Sequence, residues 1–187
     1  MGINLYRKLF HISSGLIIYG LSQFFSYLKL GLILIFLWLG LSLFEFLRLF
    51  FYKYLPLKFL WLPLLKEEEY KRISDAWYFL AGVLFSWFVL DLSHFQIILL
   101  ILTFADPFAS FIGYYFGKIK FKNNKTLEGS LAFFIISLLI IYFHTKTLFF
   151  SLYLYCIVLS LVEILTKKDN FWIPFIGSLY FKIVVIK

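Results

Sequence analysis

A single aspartate lies in the middle of a long apolar stretch of the chain. Asp106 is followed directly by Pro107, and the segment from His94 to Phe116 contains no other acidic or basic residue apart from the histidine. A bare carboxylate at membrane depth costs about 2.5–3.5 kcal/mol on insertion scales, so it is retained mainly where it is used. A lysine-rich loop follows this segment. The combination indicates a membrane-embedded site for an anionic ligand.

Small residues recur along one side of the same segment. Counted from Asp106, Ser110, Gly113 and Gly117 follow at steps of four, three and four, with Ala109 nearby. At 100° per residue these positions form one narrow stripe, which lets another backbone or a ligand approach closely. Helix packing is the common use of a Gly-x-x-x-Gly pattern, and without a ligand the stripe also offers a homodimer interface. The carboxylate favours the ligand-binding interpretation, because packing does not require one.

The lysine-rich loop runs from Lys118 to Lys125 and leads into Thr126-Leu127-Glu128-Gly129, with no acidic residue before Glu128. Positive-inside topology accounts for several lysines without any further function. Thr126 is a suitable cap for the helix that follows. A lysine, a capped helix start and a nearby carboxylate are also the groups that hold phosphates and a divalent cation.

Further polar residues lie at the ends of other apolar stretches. Glu45 and Arg48 are three residues apart, which predicts an ion pair inside a helix. His11 is compatible with a catalytic role and equally with an ordinary histidine at the membrane interface. Five more polar residues lie at the ends of the predicted spans: Arg7, Lys8, Glu163, Asp169 and Asn170.

The composition indicates that membrane-spanning helices position these residues. Of 187 residues, 63% are hydrophobic and 24% aromatic, more than a soluble domain of this size can bury. Runs of about 20 apolar residues predict an all-α, polytopic helical bundle in which residues 1–187 form a single domain. The predicted spans are 12–28, 30–50, 76–92, 95–116, 127–143 and 147–165, with a seventh, from Phe171 to Ile186, interrupted by Pro174 and Lys182.

Charge predicts the orientation of this bundle. Of the 18 basic residues, 14 lie on the side of the N-terminus, which is therefore predicted to be cytoplasmic, as a retained first helix. Acids do not follow the positive-inside rule, yet they cluster on the same side as the basic residues. This clustering predicts that the active face is cytoplasmic. The net charge of +8 therefore does not require a nucleic-acid partner. The lone Cys156 allows no disulfide or cysteine metal cluster within the chain.

Two local predictions concern the backbone. A residue before proline avoids helical geometry, whereas aspartate caps helices and proline suits a first turn. The fourth span is therefore predicted to be discontinuous, with a new helix beginning at Pro107 whose amides face the ligand of Asp106. The charged run from Lys66 to Asp75 predicts a short surface helix, with a simple solvated segment as the alternative.

Taken in chain order, these motifs resemble the CTP-dependent lipid kinases, the family of dolichol kinase, phytol kinase and the yeast-type diacylglycerol kinase. The motifs that carry the resemblance are Arg7-Lys8-x-x-His11, Glu45-x-x-Arg48, Asp106-x-x-Ala109-x-x-x-Gly113, Lys125-Thr126-Leu127-Glu128-Gly129-Ser130, Glu163 and Asp169-Asn170-x-x-Ile173-Pro174. The resemblance implies phosphoryl transfer from CTP to the hydroxyl of a membrane lipid, with release of CDP. Compared with the long dolichol kinases, which have extra N-terminal spans, the resemblance implies that this chain is a minimal kinase core.

The resemblance also implies roles for single residues. Asp106, His11 and Asp169 are the expected catalytic residues, with His11 and Asp169 as the candidate general bases. The chemistry of phosphoryl transfer, apart from the resemblance, predicts that Asp106 holds Mg²⁺ together with Glu128 or Asp169. Supporting positions are expected at Glu45, Arg48, Gly117 and Glu163. The expected nucleotide-binding residues are Arg7, Lys8, Ala109, Gly113, Lys118, Lys125, Thr126, Glu128, Gly129 and Asn170.

Three other functions are compatible with parts of the sequence. A phosphatidate cytidylyltransferase also uses CTP, and Lys168-Asp169 followed by Pro174 faintly resembles its motif, but its Gly-His-Gly-Gly is missing. A small ion- or proton-coupled transporter would use Asp106 as its ion site. A structural membrane subunit would need the charges only for topology and packing. The identity of the lipid and the oligomeric state stay open.

Overall fold

Helices account for the regular secondary structure, as the composition predicts. A computed structural model describes residues 4–121, 123, 125–147 and 149–185, so Lys122, Asn124 and Ile186 of the sequence predictions lie outside the described residues. Across the described residues no β-strand forms, and one isolated antiparallel bridge joins Lys120 to Thr126. The all-α class is therefore confirmed.

The helices begin and end close to the predicted apolar runs. They are α1 (Leu5–Phe24), α2 (Tyr27–Phe50), α3 (Lys58–Trp61), α4 (Asp75–Val89), α5 (Leu92–Leu100), α6 (Asp106–Phe116), α7 (Leu127–Thr145), α8 (Phe150–Leu165) and α9 (Asp169–Tyr180). Short 3-10 turns lie at Tyr52–Tyr54, Leu62–Leu64 and Glu67–Lys71, and π-helical turns lie at Ile101–Ala105 and Phe181–Val185.

Among the described residues, three helical stretches are long and apolar enough to cross a membrane: Tyr27–Phe50, Leu92–Phe116 and Leu127–Thr145. The helices α4 and α8 are apolar but shorter. In the tail, Pro174 lies inside α9, so the helix continues through the proline that the sequence suggested as an interruption. Helices with the length and composition of membrane spans are thus present, while the total of six to seven spans stays a prediction.

The predicted start of a new helix at Pro107 is wrong. Asp106 has φ −65° and ψ −49°, so it is helical itself, and the chain stays helical from Leu92 to Phe116. A π-helical turn at Ile101–Ala105 directly precedes the proline instead. In a regular α-helix the ring of proline meets the carbonyl four residues earlier, and the wider π turn relieves this contact. Asp106 is therefore presented from within a helix rather than from its cap.

This central helix is also the middle of the core. The π turn is buried apart from Phe104, with Ile101, Leu102 and Ala105 at 0% exposure. Helix α1 crosses it closely at Gly15, where an added Cβ would lie 2.0 Å from the hydroxyl oxygen of Thr103. The widened turn and its neighbours thereby fix the position of Asp106 relative to α1.

The stripe of small residues packs α6 against the start of α7. A Cβ at Gly113 would lie 2.6 Å from the Thr126 hydroxyl, and a Cβ at Gly117 would lie 2.5 Å from the Thr126 methyl. Gly129 in turn approaches the carbonyl oxygen of Ala109. Because α7 of the same chain takes up this contact, the stripe packs two helices within the chain, and the homodimer stays a prediction.

The close approach at Gly129 allows a test of this packing. An added methyl group would lie 2.7 Å from the backbone oxygen of Ala109, so Gly129→Ala should destabilise the protein by about 1–3 kcal/mol. Gly20→Ala and Gly40→Ala are matched controls, since a Cβ there meets nothing within 4 Å. Thermal unfolding in detergent should give a lower midpoint for Gly129→Ala alone. Equal midpoints for the three variants would contradict tight packing of α6 on α7.

Candidate functional site

One large cavity collects charged residues from remote parts of the chain. Its volume is about 1120 Å³, and α1, α2, α4, α6, α7 and the segments that follow α3, α6 and α8 contribute to its wall. The charged and titratable side chains in the wall include Arg7, Lys8, His11, Glu45, Lys66, Glu68, Glu69, Asp75, Asp106, Lys120, Lys125, Glu163, Lys167 and Asp169. The structure therefore brings most of the motifs that the sequence assigns to one site together in one wall.

Acidic side chains surround the ammonium group of Lys125. Its Nζ lies 2.5 Å from Glu163 Oε1, 2.6 Å from Asp169 Oδ2 and 4.0 Å from Asp106 Oδ1. Burial by itself would lower the pKa of Lys125, but the carboxylates of Asp169, Asp106 and Glu163 outweigh this effect and raise it above its ordinary value. Lys125 is therefore a permanent cation in this environment. We call this group, together with Lys8, the Lys125 cluster.

Asp106 lies between two lysines in this cluster. Its side chain accepts a hydrogen bond of 3.0 Å from Lys8 Nζ, and it is only 3% exposed. The same ammonium group donates to Ser110 Oγ at 2.8 Å, one turn further along α6. The predicted neighbourhood of Lys8, Asp106 and Lys125 is thus present in the fold.

A second cluster, which the sequence did not predict, contains more cations than acids, whereas acids predominate in the Lys125 cluster. Asp75, at the first turn of α4, pairs with Arg7 at 3.3 Å, with Lys66 at 2.6 Å and with Lys168 at 3.0 Å. Lys168 also lies over the ring of Tyr78, 4.5 Å from its centroid. We call this group the Asp75 cluster. In the sequence, Asp75 looked like the end of a solvated charge run, and only the preceding Ser74 cap marked it as part of a helix start.

Residues that are adjacent in the chain belong to different clusters. Arg7 contacts Asp75, whereas the next residue, Lys8, contacts Asp106. In the same way Lys168 contacts Asp75, whereas Asp169 contacts Lys125. The predicted grouping of Arg7 with Asp106 is therefore replaced by two separate polar centres.

The loop before α4 is held by buried polar contacts. The predicted Glu45–Arg48 ion pair is confirmed, with 2.5 Å between Arg48 Nη2 and Glu45 Oε2. Arg48 is 1% exposed and also donates to the backbone oxygens of Glu69 and Arg72, while Glu45 accepts from the amide of Ser74. This pair fixes the loop that carries Lys66 and Asp75.

Glu69 is buried, although the charged segment around it is predicted to lie on the surface. The 3-10 turn at Glu67–Lys71 confirms local helical structure, but Glu69 is 3% exposed and its carboxylate accepts from the amides of Lys66 and Asp75. Burial in the first place, and the neighbouring carboxylate of Asp75 in the second, raise the pKa of Glu69 to about 7. The interpretation as a fully solvated run is therefore wrong at this residue.

The raised pKa of Glu69 predicts a pH dependence of stability. Its ordinary value is 4.5, so between about pH 4.5 and 7 the folded protein holds a proton that the unfolded chain has lost. The free energy of unfolding should therefore fall, on the order of 2–3 kcal/mol from this group, as the pH rises through that window. Glu69→Gln should remove this part of the dependence, measured as thermal midpoints at pH 5 and 7.5, whereas the exposed Glu67→Gln should not. The same pH dependence in wild type and Glu69→Gln would contradict the assignment.

The remaining predicted site residues divide between the cavity wall and its surroundings. Glu128 and Lys118 do not line the cavity, and the Glu128 carboxylate accepts from the amide of Ile119 at 3.4 Å. His11 lines it, but Nε2 lies 2.9 Å from the carbonyl oxygen of Leu102 and the ring packs edge-on against Phe79. The other predicted residues in the wall are Ala109, Gly113, Gly117, Thr126, Gly129 and Asn170.

The chemistry of the Lys125 cluster is compatible with a magnesium ion brought in by phosphates. Mg²⁺ is typically bound by one or two carboxylates together with substrate phosphate oxygens and water. Asp106 and Asp169 offer such carboxylates, and the buried Oδ1 of Asn170 has no hydrogen-bond partner among the described residues. Within those residues no group of three or more acidic, histidine or cysteine side chains is arranged to hold a metal ion unaided. Any metal site here therefore needs the ligand's own oxygens.

Comparisons with known proteins give one distant relative. An uncharacterized protein of Methanocaldococcus jannaschii is 34% identical over 131 residues, which cover 66% of this chain and 65% of the relative. The chain thus spans slightly less than two thirds of the length of that protein. No protein-family model matches the chain. No solved structure matches it either.

Proposed function

We propose that this chain is a CTP-dependent lipid kinase, which transfers a phosphoryl group to the hydroxyl of a membrane lipid and releases CDP. The observation that carries the proposal is the cavity itself. One wall holds the Lys125 cluster, another holds Arg7 and Asp75, and apolar side chains complete it. A charged donor and a lipid acceptor need such an arrangement within a single site.

The Lys125 cluster suits the triphosphate of the donor. Phosphoryl transfer is catalysed mainly by positioning and by neutralising charge on the phosphate oxygens. Lys8 and Lys125 are the partly buried ammonium groups at this end, and the close packing of Gly113 and Gly129 holds the start of α7 against α6, which carries Asp106. Bound with the nucleotide, Mg²⁺ would be held by Asp106 and Asp169 and would supply further positive charge to the phosphates.

The apolar part of the wall suits the lipid. It includes Phe10 and Ile17 from α1 and Leu37, Leu41 and Phe44 from α2. Helix α1 packs mainly on α5 and the π turn and only sparsely on α2, although the two are consecutive. The space between them supports entry of a hydrocarbon chain from the bilayer.

The orientation belongs to the same proposal. With six or seven spans and a cytoplasmic N-terminus, the cavity opens toward the cytoplasm, where CTP is available. The other polar end of the bundle carries Asp91 and His94, paired at 2.6 Å, and His144. These side chains do not line the cavity, which favours a one-sided enzyme site over a transport pathway.

A product analysis tests the proposal. Purified protein is incubated in detergent with Mg²⁺ and CTP labelled either at the γ-phosphate or in the cytidine, with ATP in parallel, and with polyprenol, phytol, diacylglycerol or phosphatidate in separate reactions. A kinase transfers the γ-label to one of these lipids and forms CDP. Transfer of the cytidine label to phosphatidate with release of pyrophosphate would instead show a cytidylyltransferase. Ion or substrate flux in vesicles without nucleotide, with no labelled lipid, would show a transporter.

A further inference from the structure

The Asp75 cluster carries an excess of positive charge inside the cavity. Arg7 and Lys66 both contact Oδ2 of Asp75, whereas Lys168 contacts Oδ1. Arg7 and Lys66 line the cavity, so two cations share a single carboxylate oxygen on its wall. Together with Glu69, whose carboxylate accepts from the amide of Asp75, two acids face three cations, so this group of charges is not balanced by its own acids and calls for compensation. An anionic ligand would provide it.

The surroundings of these cations specify the kind of anion. Leu64 and Leu65 precede Lys66, and Phe79 lies one turn after Asp75; all three line the same cavity. The Lys125 cluster is different, since acids predominate there and its neighbours are the glycines and Thr126. A divalent cation with a polyphosphate suits the acidic cluster. A single phosphate attached to a hydrocarbon chain suits the basic cluster.

We propose that Arg7 and Lys66 bind the phosphate of a membrane lipid phosphomonoester, and that the carboxylate of Asp75 occupies the place of that phosphate in the ligand-free protein. The guanidinium group of Arg7 can contact two phosphate oxygens in a fork, and Lys66 adds a point charge. Lys168 holds Asp75 through its other oxygen, so the carboxylate can give up Arg7 and Lys66 without being left unpaired. The assignment of this site to the reaction product rests on the proposed function. Binding of the phosphomonoester itself requires neither nucleotide nor turnover.

Equilibrium binding tests the inference directly. Farnesyl monophosphate is titrated into the purified full chain in detergent, without nucleotide and with EDTA, and farnesol and inorganic tripolyphosphate are titrated separately. Lys66→Met should weaken farnesyl monophosphate binding roughly tenfold, as expected for loss of one charge-assisted contact. Arg7→Lys, which keeps the charge but loses the fork, should weaken it severalfold. Lys71→Met, an exposed lysine of the same loop, is the matched control and should change nothing.

Asp75→Asn separates this role from a purely structural one. Removing the competing carboxylate should strengthen farnesyl monophosphate binding. If Asp75 only held the structure together through its ion pairs, the variant would not bind farnesyl monophosphate more tightly. Thermal midpoints verify folding, and because Lys66 is 38% exposed at its side chain, Lys66→Met provides the test if Asp75→Asn does not fold.

Two results would overturn the inference: unchanged binding of farnesyl monophosphate in Lys66→Met and Arg7→Lys, or weakened binding of tripolyphosphate alone. The second result would assign these cations to the nucleotide. If Lys66→Met and Arg7→Lys weaken farnesyl monophosphate binding but the wild type shows no kinase activity, the lipid phosphate site is supported and the kinase function is rejected. If the wild type shows kinase activity but both variants bind farnesyl monophosphate like the wild type, the kinase function is supported and the lipid phosphate site is rejected.

Discussion

Asp106→Asn is expected to reduce CTP-dependent lipid phosphorylation roughly a hundredfold, the usual scale for loss of one preorganised charged group from an active site. The carboxylate lies between the ammonium groups of Lys8 and Lys125 and is almost completely buried. Its removal makes the site more positive, so binding of the anionic nucleotide should not weaken. The loss should therefore appear in kcat, with a higher Mg²⁺ concentration required for half-maximal rate and no rise in KM for CTP.

The matched control is Asp91→Asn. Asp91 is also the acid of a short-range ion pair, but its side chain is 56% exposed and lies outside the cavity wall. This variant should keep full activity. Full activity of Asp106→Asn at saturating Mg²⁺ would contradict the proposed role in metal and phosphate binding. A tenfold rise in KM with unchanged kcat would show instead that Asp106 only shapes the nucleotide pocket.

The fold was predictable where a long apolar run alone decides the structure. The existence of α2, α7 and the helix that carries Asp106 follows from hydropathy, because a backbone in lipid must satisfy its own hydrogen bonds. The π turn before Pro107 did not follow, since the local rule for residues before proline predicts a break. Tertiary packing decided the outcome: the turn is buried apart from Phe104 and contacts Gly15 of α1.

The site was predictable in its acidic part and not in its basic part. Asp106, Lys125 and Glu163 stand out because a charge in an apolar segment or beside a helix start is unusual. Asp75 does not stand out, because it ends a run of charges that could equally face solvent. Its burial depends on the pairing of Glu45 with Arg48, which folds the loop back on the bundle. Such long-range contacts are not encoded in local spacing.

Lys125→Met should cause the largest loss of stability among the variants considered. The substitution removes the ammonium group that faces Glu163, Asp169 and Asp106, and breaking a buried ion pair from one side typically costs about 3–5 kcal/mol. Thermal unfolding in detergent should show a clearly lower midpoint. Lys118→Met, in the same loop but exposed, is the control and should unfold like the wild type.

Restoring charge balance should recover part of the loss. Glu163→Gln removes the acid closest to Lys125 and keeps an oxygen for the hydroxyl of Ser130, which donates to Glu163 at 2.9 Å. The double variant Lys125→Met/Glu163→Gln should therefore be more stable than Lys125→Met alone, since fewer buried acids remain unpaired. If Lys125→Met were as stable as Lys118→Met at every pH, Lys125 would not hold these acids together, and the cluster would lose its proposed place at the centre of the nucleotide site.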